Sequence, residues 1–351
     1  MTSFLFCASP AALAQIPMPK SYVCYTTKDS IVVDGNLTES SWEKAPWTDW
    51  FVDIQGNQMP SPRYRTRAKM LWDTNYFYIG AEIQEPDVWA TITERDAVIF
   101  HDDDYEVFID PDGDTHQYYE FEMNALNTIW DLLLIKPYRD GGPPVNAWDI
   151  HGLKSAVQID GTINHPGDKD KGWFVEIAFP WKVLKECAHK NAPPMEGDQW
   201  RVNFSRVEWR VKVDQGKYVK VSDVRTGREL PEDNWVWSPQ GLIDMHYPEM
   251  WGFVQFSDEP VGTGQESFTV HPEENAKWAL RKIYYRQKEF YRKSGHYSSS
   301  ASELGLGNVK VGGYIWPPTI QCTSSLFEAV IKSVDGKERW HISDDGRTWK
   351  E

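Results

Sequence analysis

Hydrophobic and polar residues alternate in short runs along most of this chain, and the sharpest alternation lies between residues 100 and 131. Residues 105–109 and 118–123 each switch between apolar and polar positions, and Pro111, Asp112, Gly113 and Asp114 separate them. Side chains on a strand point to opposite faces in turn, and Asp-Gly supplies a tight reversal, so the stretch predicts a β-hairpin. A second hairpin is predicted from residues 65–73 and 76–83, with Asn75 at its turn.

Further short strands are expected at residues 31–37, 132–135, 156–159, 172–179, 199–209, 235–238 and 251–256, while residues 21–25 alternate only weakly. Trp42 falls in a short helical segment that closes at Pro46, and residues 181–188 read as another short helix. Residues 137–146 contain Gly141, Gly142, Pro143 and Pro144 and predict an exposed loop of the kind that carries binding residues. Many short strands with turn signals and little helix predict a mainly β fold, an antiparallel β-sandwich over residues 20–257. Residues 258–272 read as a linker. Beyond them, apolar positions at helical spacing over 273–292, a stop at Gly295 and two or three strands in 321–349 predict a small α+β appendage, residues 273–351.

Composition narrows the function. Aromatic residues make up 14% of the chain, enough to fill a β core and still leave rings for stacking on sugar faces. A formal net charge of -15 repels nucleic acid and anionic membranes. No apolar stretch has the length of a membrane span. Residues 1–14 resemble a signal peptide with cleavage before Gln15, which implies export to the periplasm, the cell surface or the medium. Cys7 would leave with it, and of Cys24, Cys187 and Cys322 the first two are the expected disulfide partners.

Several blocks together resemble the family 9 carbohydrate-binding modules: Val33, Asp34 and Gly35 with Trp42, then residues 102–114, 118–131, 172–181, 200–209 and 245–256. The resemblance implies a sandwich of the DOMON-like type that binds poly- or oligosaccharide in the service of carbohydrate catabolism, with a co-secreted glycoside hydrolase as a partner. In the family a sugar lies between two aromatic rings while acid, amide and basic side chains bond its hydroxyls. On that pattern Glu106 falls on a sugar-binding acid, Phe100 on the first ring, Asn124 on an amide, and Glu122 where the family has an arginine. The second ring has no secure counterpart; Met245, His246 and Trp237 approach its place.

Each candidate also has a structural reading. Glu106 could face solvent or pair with Arg206, a mid-strand arginine that needs a partner if buried. Trp130 and Trp148 flank the Gly/Pro loop and fit either core or site, and His246 fits a loop role as well as a ligand role. Asp110, Asp112 and Asp114 offer oxygens around a glycine turn, so calcium is a candidate ligand, as structural calcium is in the family, although the bidentate glutamate of an EF-hand is missing. Two other functions stay open: a glycoside hydrolase using Glu106 with Asp104 or Glu122, and a haem-binding DOMON-like protein using Met123 and His246.

Overall fold

The computed structural model describes residues 18–351. The expected leader, its cleavage point and Cys7 lie outside them. Nineteen strands and three α-helices follow. The first part of the chain contributes β1 (Ser21–Thr26), α1 (Ser40–Lys44), β2 (Val52–Asp53), β3 (Thr66–Trp72), β4 (Tyr76–Gln84), β5 (Asp104–Asp110), β6 (Tyr118–Asn124), β7 (Ile129–Leu134) and β8 (Pro144–Val145). Next come β9 (Lys154–Asp160), β10 (Gly172–Pro180), α2 (Trp181–Leu184), β11 (Gln199–Glu208), β12 (Val211–Asp214), β13 (Lys217–Lys220), β14 (Asp233–Val236) and β15 (Gly252–Pro260). The last part holds α3 (Glu274–Ser294), β16 (Tyr314–Cys322), β17 (Phe327–Ser333), β18 (Arg339–Ser343) and β19 (Thr348–Lys350).

Thirteen strands form one sheet in the order β8-β7-β6-β5-β11-β15-β1-β3-β4-β10-β9, with β14 attached to β11 and β2 to β14. The path folds over itself as a sandwich. Tyr105, Val107 and Phe121 from one half and Met70, Ile79 and Val175 from the other share a single buried apolar cluster. Burial of that many large side chains, at roughly 1.5–3 kcal/mol each, is what holds the two layers together.

The sheet is mixed rather than wholly antiparallel. The weakly alternating stretch at Ser21 became β1, which runs parallel to both β15 and β3 and joins the halves. Being covered on both sides, it has little reason to alternate. Residues 31–37, expected as a strand, are a loop instead. Their backbone is taken by an acid: the N–H groups of Asp34 and Gly35 donate to Glu176 Oε2 at 2.9 and 3.1 Å, and Trp42 Nε1 donates to Oε1 at 2.8 Å. Gly35 sits at φ +89°, where a Cβ would stand 2.7 Å from Gln158 N, so both the turn and the close approach need glycine.

Cys24, Cys187 and Cys322 are free thiols, which overturns the expected disulfide. Cys24 and Cys187 instead pack in the main core as small apolar groups.

The C-terminal part matches its expectation in kind but has four strands, in the order β16-β17-β18-β19. Helix α3 lays Ala276, Leu280 and Ile283 against Ile331 and Ile342 of that sheet, and Gly295 ends it at φ +75°. Residues 261–272 lie along the sandwich: Phe268 packs on Phe253 at 5.4 Å and the Thr269 carbonyl accepts Gln199 Nε2 at 2.7 Å. Charges fasten α3 and its sheet to the first core through Arg201–Glu274 at 2.6 Å and Arg347–Asp114 at 2.9 Å.

Candidate functional site

Register decides which side chains share a face. Asp104 lies opposite Asn124, Glu106 opposite Glu122 and Phe108 opposite Glu120 across the β5–β6 ladder. Ser205 of β11 faces Glu106, Arg206 faces Tyr105, and Trp130 of β7 faces Glu122. Since neighbours in a ladder point the same way, Asp104, Glu106, Glu120, Glu122, Trp130 and Ser205 stand on the outer face. Tyr105, Phe121, Met123 and Arg206 point inward.

On that outer face the carboxylates crowd. Oxygens of Asp104, Glu106 and Glu122 lie within 4.8 Å of one another. Glu120 joins them, 6% exposed and with no hydrogen bond or ion pair among the described residues. No lysine, arginine or histidine among the described residues ion-pairs with any of the four. Burial pushes Glu106 up to about 7, countered by a hydrogen bond with Ser205 and reinforced by the charge of Glu232. Burial first, and the charge of Glu106 second, raise Asp104, Glu120 and Glu122 well above the carboxylate range. One oxygen of Asp104, Oδ2, is buried with no partner at all.

Rings border these acids. Phe100 occupies a 3₁₀ turn before β5; its N–H donates to Glu122 Oε2 at 3.2 Å and its carbonyl accepts Trp209 Nε1 at 2.9 Å. On the other border stands Tyr138, 43% exposed, with its ring centroid 4.4 Å from that of His246. Burial and the negative charges of Glu120 and Glu122 push the Tyr138 phenol up to about 12, which puts it within electrostatic reach of both acids. His246 Nδ1 lies 2.9 Å from Tyr118 Oη, and burial, followed by the charge of Arg139, lowers its imidazole to about 3. It is a neutral ring at physiological pH.

Sequence reasoning placed the second border near His246 but passed over Tyr138. Its signal was modest: an aromatic inside the Gly/Pro-rich loop. Of the other residues considered there, Trp237 is buried against Phe204 at 5.8 Å, and Met245 packs against the apolar cluster that holds Phe108 and Trp251. The short 3₁₀ segment carrying Tyr138 is held from below. Arg139 donates to Glu249 at 2.9 and 3.1 Å and to the His246 carbonyl at 3.0 Å. Asp140 accepts from Tyr284 Oη at 2.8 Å and from Lys288 Nζ at 2.9 Å, both on α3.

Several candidates have other duties. Arg206 does not meet Glu106, because the two point to opposite faces. It pairs with Glu85, and with Glu208 at 2.6 Å, donates to the Gln84 carbonyl at 2.8 Å and lies over Trp235 at 5.2 Å. Asn124 is wholly buried; its amide donates to the Ile92 carbonyl and Asp102, and its oxygen accepts from Leu126 and Thr128. That leaves it a positioning residue for the loops beside the acids. Trp148 stacks on Tyr119 at 4.9 Å and donates to Glu186, away from the acids. Trp130 stays at the site, half-buried, with an unpartnered indole N–H.

Two alternatives meet geometric obstacles. Met123 is in the core while His246 lies over the outer face, so they cannot flank one haem iron. Glu106 and Glu122 rise side by side from one sheet, whereas a glycosidase pair stands on either side of the bond it cuts.

Asp110, Asp112 and Asp114 also place oxygens within 4.8 Å of one another. Burial and mutual repulsion push Asp112 up to about 9 and Asp110 up to about 6. The donor set, hard oxygens with excess negative charge, fits calcium. Part of it is already engaged: Asp110 accepts the Gly113 and Thr115 N–H groups, and Asp114 holds Arg347.

Residues 33–197 match a family model described as carbohydrate family 9 binding domain-like. The exoglucanase XynX of Acetivibrio thermocellus is 24% identical over 153 residues, a segment that spans 44% of this chain and only 12% of that enzyme. Among solved structures, a family 9 carbohydrate-binding module from Caldicellulosiruptor kristjanssonii in complex with cellotriose is 15% identical, with a TM-score of 0.42 over 71% of this chain and all of that one. A putative carbohydrate-binding protein from Bacteroides uniformis is 15% identical, with a TM-score of 0.49 over 68% of this chain and all of that one. Among the described residues, no helix is long and apolar enough to cross a membrane.

Proposed function

With residues 33–197 identified as a family 9 carbohydrate-binding module-like domain, we propose that this chain binds poly- or oligosaccharide on the outer face of β5 and β6. One observation carries the reading: the hairpin inside the family-matched segment holds a row of acids that no cationic side chain among the described residues pairs with, bordered by Phe100 on one side and by Tyr138 and His246 on the other. Pyranose C–H faces stack on rings, and sugar hydroxyls donate to carboxylates in charge-assisted hydrogen bonds. Glu106, Glu120 and Glu122 are the acceptors, Trp130 Nε1 is a donor, and Tyr138 with His246 is the wall opposite Phe100. Asn124 and Arg206 hold the scaffold. Asp110, Asp112 and Asp114 would hold calcium, which would neutralise their charge beside α3.

The chain acts outside the cytoplasm as an accessory to polysaccharide breakdown, alongside a glycoside hydrolase; the likeness to part of an exoglucanase supports this role. An array of plant, algal and microbial polysaccharides probed with the full chain tests the class. Retention on at least one glycan is expected, with Tyr138→Ala weakening it about tenfold, the range of one aromatic contact. Absence of binding throughout, or retention unaffected by Tyr138→Ala and Phe100→Ala alike, contradicts the reading.

A further inference from the structure

Resting on the carbohydrate reading, the geometry points to a cationic ligand: we propose that the acid-lined slot recognises a sugar carrying a protonated amino group, of the 2-amino-2-deoxy class. The first reason is the balance of charge. Asp104, Glu106 and Glu122 converge within 4.8 Å, and no cationic side chain among the described residues is paired with them. Beside a neutral sugar such crowded, buried acids keep protons, so hydroxyl donors leave part of their accepting capacity unused. An ammonium group supplies both the donors and the counter-charge.

The second reason is independent of the cluster. Among the described residues, Glu120 stands on the same face, 6% exposed and without any hydrogen bond or ion pair, and one oxygen of buried Asp104 also has no partner. Buried acceptors without partners in the free protein are matched when a ligand brings the missing donors. Third, the surroundings are rings rather than oxygens. Phe108, Tyr118 and Trp130 share this face, with Tyr138 and His246 beside them and Phe100 across from them. Ring faces attract an ammonium through their quadrupole and stack on a pyranose, whereas calcium asks for six to eight oxygens. The same sheet shows the other arrangement a few residues away, where Glu85, Asp103 and Glu208 close around Arg206.

The test is calorimetric titration of the full chain with β-1,4-linked tetramers of glucosamine, N-acetylglucosamine and glucose, which share a backbone and differ at C2. The glucosamine tetramer is expected to bind about tenfold or more tighter than the other two, the scale of one charge-assisted hydrogen bond. That preference should shrink in 0.5 M sodium chloride (roughly a 4 Å Debye length) and in Glu120→Gln, whose carboxylate has no partner to lose among the described residues. Equal or tighter binding of the glucose tetramer overturns this inference while leaving the carbohydrate reading in place. No binding of any tetramer, with a blank glycan array, overturns both. A preference unchanged in both Glu120→Gln and Glu122→Gln, or calcium chloride alone binding the wild type but not Glu122→Gln, also overturns it, the last by making the slot a metal site.

Discussion

Asp103 and Asp104 are neighbours in sequence that point to opposite faces of one sheet, and each belongs to a cluster of three carboxylates. Inward, Asp103 sits with Glu85 and Glu208 around the Arg206 guanidinium, which lies over Trp235 and is hydrogen-bonded on several sides. Outward, Asp104 sits with Glu106 and Glu122, beside Glu120, with rings at the margins and no paired cation among the described residues. Both clusters are buried and both raise carboxyl pKa values, but only the inner one carries its own counter-charge. A compensated cluster belongs to the scaffold, whereas on the proposed reading the uncompensated one is completed by a ligand.

The largest expected effect comes from removing the inner compensation. Arg206→Met leaves Glu85, Asp103 and Glu208 facing one another in the core. Urea unfolding near neutral pH should then show a loss of about 3–5 kcal/mol, the usual consequence of stranding one side of a buried ion pair. A loss under about 1 kcal/mol would mean that the two clusters are not different in kind.

The outer cluster should respond with the opposite sign. Glu106 titrates near 7 in the folded chain and near the ordinary glutamate value of about 4.3 when unfolded, so the folded state keeps a proton that the unfolded state has lost. Stability therefore falls as pH rises through that window and stays lower above it. Glu106→Gln should be as stable as the wild type near pH 4 and more stable by about 1–3 kcal/mol at pH 8, while weakening glycan binding. Asp104, Glu120, Glu122 and Glu232 act on the same group and broaden the transition, with Tyr138 facing Glu120 and Glu122. A variant less stable than the wild type at pH 8 would contradict the comparison.

A smaller effect is expected at the third acidic triad. Millimolar calcium should raise the melting midpoint by about 2–4 °C, and Asp112→Asn should abolish the shift. An unchanged midpoint would leave Asp110, Asp112 and Asp114 as a turn tied down by Arg347 and α3 alone.

Much of the sandwich was legible because period-two alternation survives wherever one face carries apolar core side chains and the other polar ones, even when both are buried: β5, β6 and β11 all carry it. β1 carries it weakly because both its faces pack into apolar clusters, Tyr22 and Cys24 in one and Val23 and Tyr25 in the other, and residues 31–37 mimic it while donating to Glu176 instead of a ladder. Glu106 and Glu122 could be read as facing partners from the hairpin turn alone. Arg206 could not be placed on its face without the β5–β11 register, and its partner Glu85 is more than a hundred residues away in sequence. Tyr138 was hidden for the same reason: a loop aromatic becomes a wall only through long-range contacts, here Arg139 with Glu249 and Asp140 with α3.

Glutamate-selective carbon-13 NMR of the side-chain carboxyls, with and without a saturating oligosaccharide from the array, tests the difference between the two faces most directly. The account predicts that the ligand shifts the Glu106, Glu120 and Glu122 resonances and leaves those of Glu85 and Glu208 where they were. Shifts at Glu85 and Glu208, or none at the outer acids while the glycan is bound, would contradict it.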